Sequence, residues 1–151
     1  MSENTVKRVR VQHLRRMKEQ REPITMLTCY DAVTARIFDA AGIDVLLVGD
    51  SYGNTCLGYE STVSVSLEEM KVATAAVARG AKRAFIVADL PFGSYEESSE
   101  RAVASAVRLI KAGAHAVKLI DERDTRHVVL GCLTPNRLGL WLDARNGIKD
   151  G

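Results

Sequence analysis

Short apolar runs alternate with apolar stripes at helical spacing over residues 24–120. Val45–Val48 is a continuous apolar run, as in strands that a parallel sheet buries on both faces. Further β-prone runs occupy residues 24–28, 84–88 and 116–119. Strands that alternate regularly with helices form parallel βαβ units, so the pattern predicts an α/β fold.

The segments between these runs carry the start and stop signals of helices. Ser66 and Glu69 have the spacing of a capping box, and Gly80 stands where that helix should end. Apolar residues recur at helical spacing in three further segments. The predicted helices span residues 11–20, 31–41, 66–80 and 97–112.

The alternation ends near residue 120. Residues 121–127 are mostly charged, and Val128–Leu130 has the composition of a strand. Residues 138–151 show neither a strand pattern nor a long helix. The chain is therefore predicted to have two parts, a regular part over residues 1–120 and a divergent tail over residues 121–151.

Composition narrows the class of protein without naming a function. The chain has 46% hydrophobic residues, 26% charged residues and a net charge of +2. Nothing in these values indicates a nucleic acid or an anionic membrane as a binding partner. It contains no run of about 18 apolar residues, and its first residues are polar, so a cytoplasmic location is expected. Its three cysteines are widely spaced, so free thiols are expected.

Four polar residues fall at the predicted carboxyl ends of strands. Asp50 and Ser51 follow the second strand, Asp89 follows the third, and Lys118 lies near the end of the fourth. These ends meet on one face of a parallel α/β fold, where active sites lie. Neighbouring carboxylates repel each other, and a Mg²⁺ ion between them relieves that repulsion. A lysine beside them would attract the carboxylate of a small anionic substrate.

Each of these residues also has a plainer interpretation. An aspartate after a strand commonly caps the next helix or turn, and Ser51 suits a turn. Lys118 could extend from a strand end into water. Spacing alone therefore leaves both the structural and the metal-site interpretations open.

Longer strings are more specific. VGDS over residues 48–51, ADLPFGSY over 88–95 and AVKL over 116–119 occur in that order. Together with TCYD at 28–31, they resemble the opening part of the ketopantoate hydroxymethyltransferase family, over residues of about 9–119. The resemblance implies a (β/α)₈ TIM barrel, of which residues 1–120 would be the first half.

The resemblance also implies an activity. The family transfers a hydroxymethyl group from 5,10-methylenetetrahydrofolate to 3-methyl-2-oxobutanoate, giving 2-dehydropantoate on the route to pantothenate and coenzyme A. It implies that Asp50 and Asp89 bind Mg²⁺, and that Asp50, Ser51, Asp89 and Lys118 contact the keto acid, with Lys118 near its carboxylate. It further implies a homo-oligomer of the intact protein.

Two departures from the family pattern raise alternatives. The family follows VKL with a metal-associated glutamate, where this chain has Ile120, Asp121 and Glu122. The general-base glutamate of the family belongs to the second half of the barrel and has no match here. The chain is therefore expected to lack turnover by itself. The alternatives are a non-catalytic fragment that binds substrate or a partner subunit, and another metal-dependent 2-oxo-acid barrel enzyme of the lyase type.

Overall fold

The computed structural model describes residues 7–120, 128–131, 133–134 and 137–138. The helices are α1 (Val11–Glu19), α2 (Ala32–Ala40), α3 (Tyr52–Thr55), α4 (Leu67–Gly80) and α5 (Ser99–Ala112), with a 3₁₀ turn at Thr62–Ser64. The strands are β1 (Met26–Thr28), β2 (Val45–Val48), β3 (Phe85–Asp89), β4 (Ala116–Ile120), β5 (Val128–Gly131), β6 (Leu133–Thr134) and β7 (Arg137–Leu138).

Strands β1 to β4 lie side by side in chain order and pair in parallel. Helices α2 and α4 connect β1 to β2 and β2 to β3, and α5 connects β3 to β4. The predicted α/β fold is confirmed, and its first four strands form an open part of a barrel. The four predicted strands and the four predicted helices are present, with bounds that differ by two residues or fewer.

Strand β5 departs from barrel geometry. The strand predicted at Val128–Leu130 exists, but it pairs with β4 in the antiparallel direction. Only residues 121–127 separate the two strands, and a parallel partner needs a crossover of a dozen residues or more. Most of the predicted tail over 121–151 lies outside the described residues, so the boundary at residue 120 stays a prediction.

Strands β2, β3 and β4 of the parallel sheet are covered on both faces, whereas the three residues of β1 are exposed. On the outer face, Leu46, Ile86 and Val117 pack into one core with residues of the helices, including Met70 and Leu109. On the inner face, a smaller cluster packs strand residues against residues 9–14, which precede β1. That cluster contains Val45, Phe85, Val87 and Ala116 with Val9, Val11 and Leu14. The continuous apolar runs of the sequence follow from this burial on both faces.

Side-chain caps fix where the helices begin. Asp31 accepts hydrogen bonds from the backbone N–H groups of Val33 and Thr34 at the start of α2. Ser66 and Glu69 form the predicted capping box of α4. Helix α3 and the 3₁₀ turn were not predicted, because four-residue helices lack a readable apolar period.

Polar groups at the amino ends of the strands join the layers together. Asp39 accepts hydrogen bonds from the backbone N–H groups of Lys82, Arg83 and Ala84. His115 accepts one from the backbone N–H of Ile86 at 2.9 Å, and burial lowers the pKa of His115 to about 4. These residues lie at the end of the sheet opposite to Asp89, so we assign them structural roles.

In the part of the chain that the structure describes, no helix combines the length and the apolar character needed to cross a membrane. Cys29 is buried and Cys56 is exposed, both as free thiols, whereas Cys132 lies outside the described residues.

Helices α2 and α4 approach each other closely at Gly80. A Cβ added there would overlap the carbonyl oxygen of Ala32 and lie 2.8 Å from the Cβ of Ala35. We therefore expect Gly80→Ala to lower the free energy of unfolding by about 1–3 kcal/mol, although alanine favours helix. Urea unfolding measures this, with exposed Arg79→Ala as the control. A Gly80→Ala chain as stable as the wild type would show that α2 and α4 are not in this contact.

Candidate metal and keto-acid site

The parallel register gathers the four predicted site residues at the carboxyl ends of the strands, along one edge of the sheet. Asp89, the last residue of β3, is the register partner of Lys118 in β4. Asp50 follows β2 after Gly49 and lies close enough to Asp89 that its charge raises, and its backbone N–H lowers, the pKa of the Asp89 carboxyl group. The Nζ of Lys118 lies 3.9 Å from Oδ1 of Asp89, which is an ion-pair separation and too long for a hydrogen bond.

Asp89 is the most strongly perturbed acid in this group. Only 3% of its surface is exposed, and burial is the main reason that its pKa is raised to about 6. The nearby Asp50 charge raises the pKa further, whereas the Lys118 ammonium and the backbone N–H of Asp50 lower it. The buried Oδ1 atom of Asp89 has no hydrogen-bond partner. A buried carboxylate oxygen without a partner is costly unless a ligand satisfies it.

Ser51 lies at the same edge and contacts a residue that the sequence reasoning missed. The hydroxyl groups of Ser51 and Tyr30 are hydrogen-bonded at 2.7 Å. The Tyr30 ring also packs against Tyr52, with the ring centroids 5.7 Å apart. Tyr30 comes two residues after β1, so the strand-end argument that selected Asp50 would also have found Tyr30.

Gly49 allows this edge to be compact. A Cβ added at Gly49 would lie 3.0 Å from the Ser51 hydroxyl and 3.5 Å from Oδ2 of Asp89. The first distance is tighter than ordinary van der Waals contact, so a side chain here would push Ser51 aside. The glycine thus lets the ends of β2 and β3 bring their polar groups together.

Asp89 does not cap the next helix. The next helix, α5, begins ten residues later and is capped by the Ser98 side chain. Asp50 does not take the N-cap position of α3 either, because Ser51 occupies it. Lys118 is 25% exposed in its side chain and points toward Asp89 rather than solely into water.

The donor set fits a hard cation only in part. Asp50 and Asp89 supply carboxylate oxygens, and Oδ1 of Asp89 is available. Within the described residues, no three His, Cys, Asp or Glu side chains come together as a metal site. Mg²⁺ commonly uses one or two carboxylates and completes its shell with water and substrate oxygens, so two aspartates are compatible with it. Asp121 and Glu122 lie outside the described residues.

These features define a class: a parallel barrel segment with acidic residues at the carboxyl ends of its strands. Solved structures agree on the fold. Phosphoenolpyruvate phosphomutase from Streptomyces platensis superimposes with a TM-score of 0.60 at 17% identity, over 91% of this chain and 49% of that one. A phosphonopyruvate hydrolase, solved with oxalate and Mg²⁺, gives 0.59 at 17% identity, over 78% and 42%. At these identities the likeness concerns the fold alone.

Sequence comparison supplies the family. The family model described as ketopantoate hydroxymethyltransferase matches residues 8–133. The 3-methyl-2-oxobutanoate hydroxymethyltransferase of Leifsonia xyli is 58% identical over 114 residues, which are 75% of this chain and 41% of that protein. The enzyme of the same name from Streptomyces avermitilis is 54% identical over 126 residues, or 82% and 44%. The chain belongs to the ketopantoate hydroxymethyltransferase family, and it spans less than half the length of these relatives.

Burial of the Asp89 charge has a consequence for stability. At pH 7.5, above its pKa of about 6, the carboxylate is ionised at a cost, so Asp89→Asn should raise the free energy of unfolding on the order of 1–3 kcal/mol in chelator-containing buffer. As the pH falls through 6, the folded wild type takes up a proton before the unfolded chain does. Its stability therefore rises, and the advantage of asparagine shrinks.

Urea unfolding at pH 7.5 and pH 5 measures this, with exposed Glu60→Gln as the matched control. A loss of stability in Asp89→Asn at pH 7.5 would mean that the carboxylate is already satisfied within the chain.

Proposed function

We propose that this chain forms the metal- and keto-acid-binding half of a hydroxymethyltransferase that converts 3-methyl-2-oxobutanoate to 2-dehydropantoate, with 5,10-methylenetetrahydrofolate as the one-carbon donor. The observation that supports it most is the partnerless Oδ1 of buried Asp89, which lies 3.9 Å from the Lys118 ammonium at the strand ends. The names of relatives that are 54–58% identical support the keto acid as acceptor and the hydroxymethyl group as the group transferred, and the family resemblance implies the folate donor.

In this proposal, Asp50 and Asp89 hold one Mg²⁺ ion. When bound, such an ion acts as a Lewis acid that polarises the carbonyl group of a 2-oxo acid. Asp89 suits the role because folding has already removed its carboxylate from water, so little solvent has to be displaced from it. The positive charge would also offset the repulsion that raises the pKa of Asp89.

The remaining groups suit the substrate. A 2-oxo acid presents a carboxylate, and the Lys118 ammonium is the cation beside the proposed metal ligands. The Ser51 hydroxyl, oriented by its hydrogen bond with Tyr30, can donate to a second substrate oxygen. The chain would thereby fix the position of the keto acid at several points before a one-carbon donor arrives.

Binding and turnover are separate parts of the proposal. The described residues supply ligands and a cation, but they gather no third acidic or histidine side chain beside Asp50 and Asp89 that could remove a proton from the substrate carbon. We therefore propose that the chain by itself binds the keto acid without turning it over. A cytoplasmic location and assembly of the intact protein into a homo-oligomer belong to the same proposal.

A lyase acting on 2-oxo acids is the rival that the fold comparison raises. Superposition on a phosphomutase and a phosphonopyruvate hydrolase rests on 17% identity, whereas the hydroxymethyltransferase relatives are more than three times as similar in sequence. A substrate panel that compares carbon–carbon cleavage with folate-dependent hydroxymethylation separates the two. We favour the transferase because the matching strings include the strand ends that carry Asp50, Asp89 and Lys118.

Removal of the Lys118 charge tests the assigned carboxylate contact. We expect Lys118→Ala to weaken binding of 3-methyl-2-oxobutanoate about 10- to 100-fold in the presence of Mg²⁺, as for loss of one charge-assisted hydrogen bond. Isothermal titration calorimetry measures the affinity, with exposed Lys111→Ala on α5 as the control. Unchanged affinity in Lys118→Ala would remove this residue from the site.

Turnover of the chain alone tests the second part. We expect no measurable formation of 2-dehydropantoate from 3-methyl-2-oxobutanoate and methylenetetrahydrofolate with Mg²⁺, because positioned general acid–base catalysis is worth about 10²–10⁴-fold and the described residues gather no further acidic or histidine side chain beside Asp50 and Asp89. The Leifsonia xyli relative, assayed in parallel, provides the reference rate. Turnover within about tenfold of that reference would contradict the proposal and would point to Asp121 or Glu122 as additional active groups.

A further inference from the structure

Tyr30 lies between two residues that are fixed by the fold. Cys29 is buried, and its backbone N–H donates to the carbonyl oxygen of Leu47 in β2. On the other side, the Asp31 carboxylate caps α2. The Tyr30 side chain therefore extends from a backbone that is anchored both before and after it.

The Tyr30 side chain itself is held at two points. Its ring packs against that of Tyr52, the first residue of α3, with an angle of 40° between the ring planes. Its hydroxyl oxygen lies 2.7 Å from Oγ of Ser51, which is the usual distance of an O–H···O hydrogen bond. The segments that follow β1 and β2 thus fix the phenol group together.

Ser51 does not use its hydroxyl group in the way that its place in the chain suggests. It occupies the N-cap position of α3, where a serine side chain commonly accepts from the helix backbone, yet it makes no such hydrogen bond. A serine hydroxyl has one proton to donate and two lone pairs that accept. The bond with Tyr30 uses either the proton or a lone pair, and this choice decides what Ser51 offers to a ligand.

A ligand oxygen determines the direction of the Tyr30–Ser51 bond. An oxygen that only accepts, such as that of a carboxylate or a ketone, needs the Ser51 proton, so Ser51 has to accept from Tyr30. This direction is also the favourable one chemically, because a phenol is a stronger acid than an aliphatic alcohol and hence the better donor. Successive hydrogen bonds of this kind polarise and strengthen one another.

We infer that Tyr30 is a positioning residue for keto-acid binding: its hydroxyl donates to Oγ of Ser51 and thereby directs the Ser51 proton toward an acceptor oxygen of the 2-oxo acid. The inference rests on the proposed function, in which Ser51 contacts the substrate. Tyr30 acts through Ser51 and does not itself touch the keto acid. Without the phenol hydroxyl, the Ser51 hydroxyl is free to rotate away from the ligand.

Calorimetric titration of the full chain with 3-methyl-2-oxobutanoate in Mg²⁺ tests this role. Tyr30→Phe keeps the ring and its contact with Tyr52 and removes only the hydroxyl, so we expect the affinity to fall about 3- to 10-fold, as for one neutral hydrogen bond. The control Tyr59→Phe removes a phenol that donates to Glu69 of α4 instead, and it should leave the affinity within about twofold of the wild type. Unchanged affinity in Tyr30→Phe, or an equal loss in Tyr59→Phe, would overturn the inference.

A double-mutant cycle separates positioning from a merely structural role. We expect Ser51→Ala to weaken binding at least as much as Tyr30→Phe does, and Tyr30→Phe to cause no further loss in the Ser51→Ala chain. A tyrosine that only supports the fold would cause the same loss in both backgrounds, and such additivity would overturn the inference. Urea unfolding should remain cooperative in every variant.

The same titrations distinguish this inference from the proposed function. A wild-type chain that does not bind the keto acid in Mg²⁺ would contradict the proposed function and the role of Tyr30 with it. Wild-type binding combined with an additive or absent effect of Tyr30→Phe would contradict the role of Tyr30 alone. The expected result is wild-type binding with a loss in Tyr30→Phe that disappears once Ser51 is replaced by alanine.

Discussion

Parallel pairing of β2, β3 and β4 is the constraint on which the candidate site depends. Because the three strands run in one direction, the residues at their carboxyl ends lie along one edge of the sheet. The register pairing of Asp89 with Lys118 places a carboxyl group beside an ammonium group. The continuous burial of β3 draws the Asp89 carboxylate out of water at the end of that strand. An antiparallel order of the same strands would separate these residues by the length of a strand.

Burial of the Asp89 carboxylate has opposing effects on the stability of the fold and on ligand binding. Burial raises the pKa of Asp89 to about 6 and leaves one of its oxygens without a partner, which destabilises the folded chain at neutral pH. The same features leave the carboxylate available to a cation with little solvent to displace. At the other end of the strands, Asp44 accepts hydrogen bonds from Thr25 and pairs with Arg83 at 2.9 Å, and its pKa is lowered. The groups that stabilise the fold thus lie at the amino ends of the strands, whereas the groups left available for a ligand lie at the carboxyl ends.

Much of this could be predicted from the sequence because it depends on local patterns. Val45–Val48 matched β2 residue for residue, and Ser66 with Glu69 formed the expected capping box. Asp50, Asp89 and Lys118 followed from strand ends alone. Tyr30 also follows a strand end, but an uncharged aromatic residue there does not by itself indicate a metal or anion site, and its contact with Ser51, 21 positions away, is seen only in the fold. The apolar run at Val128–Leu130 does not by itself indicate whether β5 runs parallel or antiparallel to β4. The direction follows from the connection over 121–127, which is too short for a parallel crossover. The roles of the four predicted site residues remain predictions.

We expect Asp89 to make keto-acid binding depend on a divalent cation. Calorimetric titration of the full chain with 3-methyl-2-oxobutanoate, in Mg²⁺ and in chelator, tests it directly when repeated on Asp89→Asn. We expect binding to the wild type in Mg²⁺, at least tenfold weaker binding in chelator, and no response to Mg²⁺ in Asp89→Asn. Equal affinities for the wild type in Mg²⁺ and in chelator would contradict it.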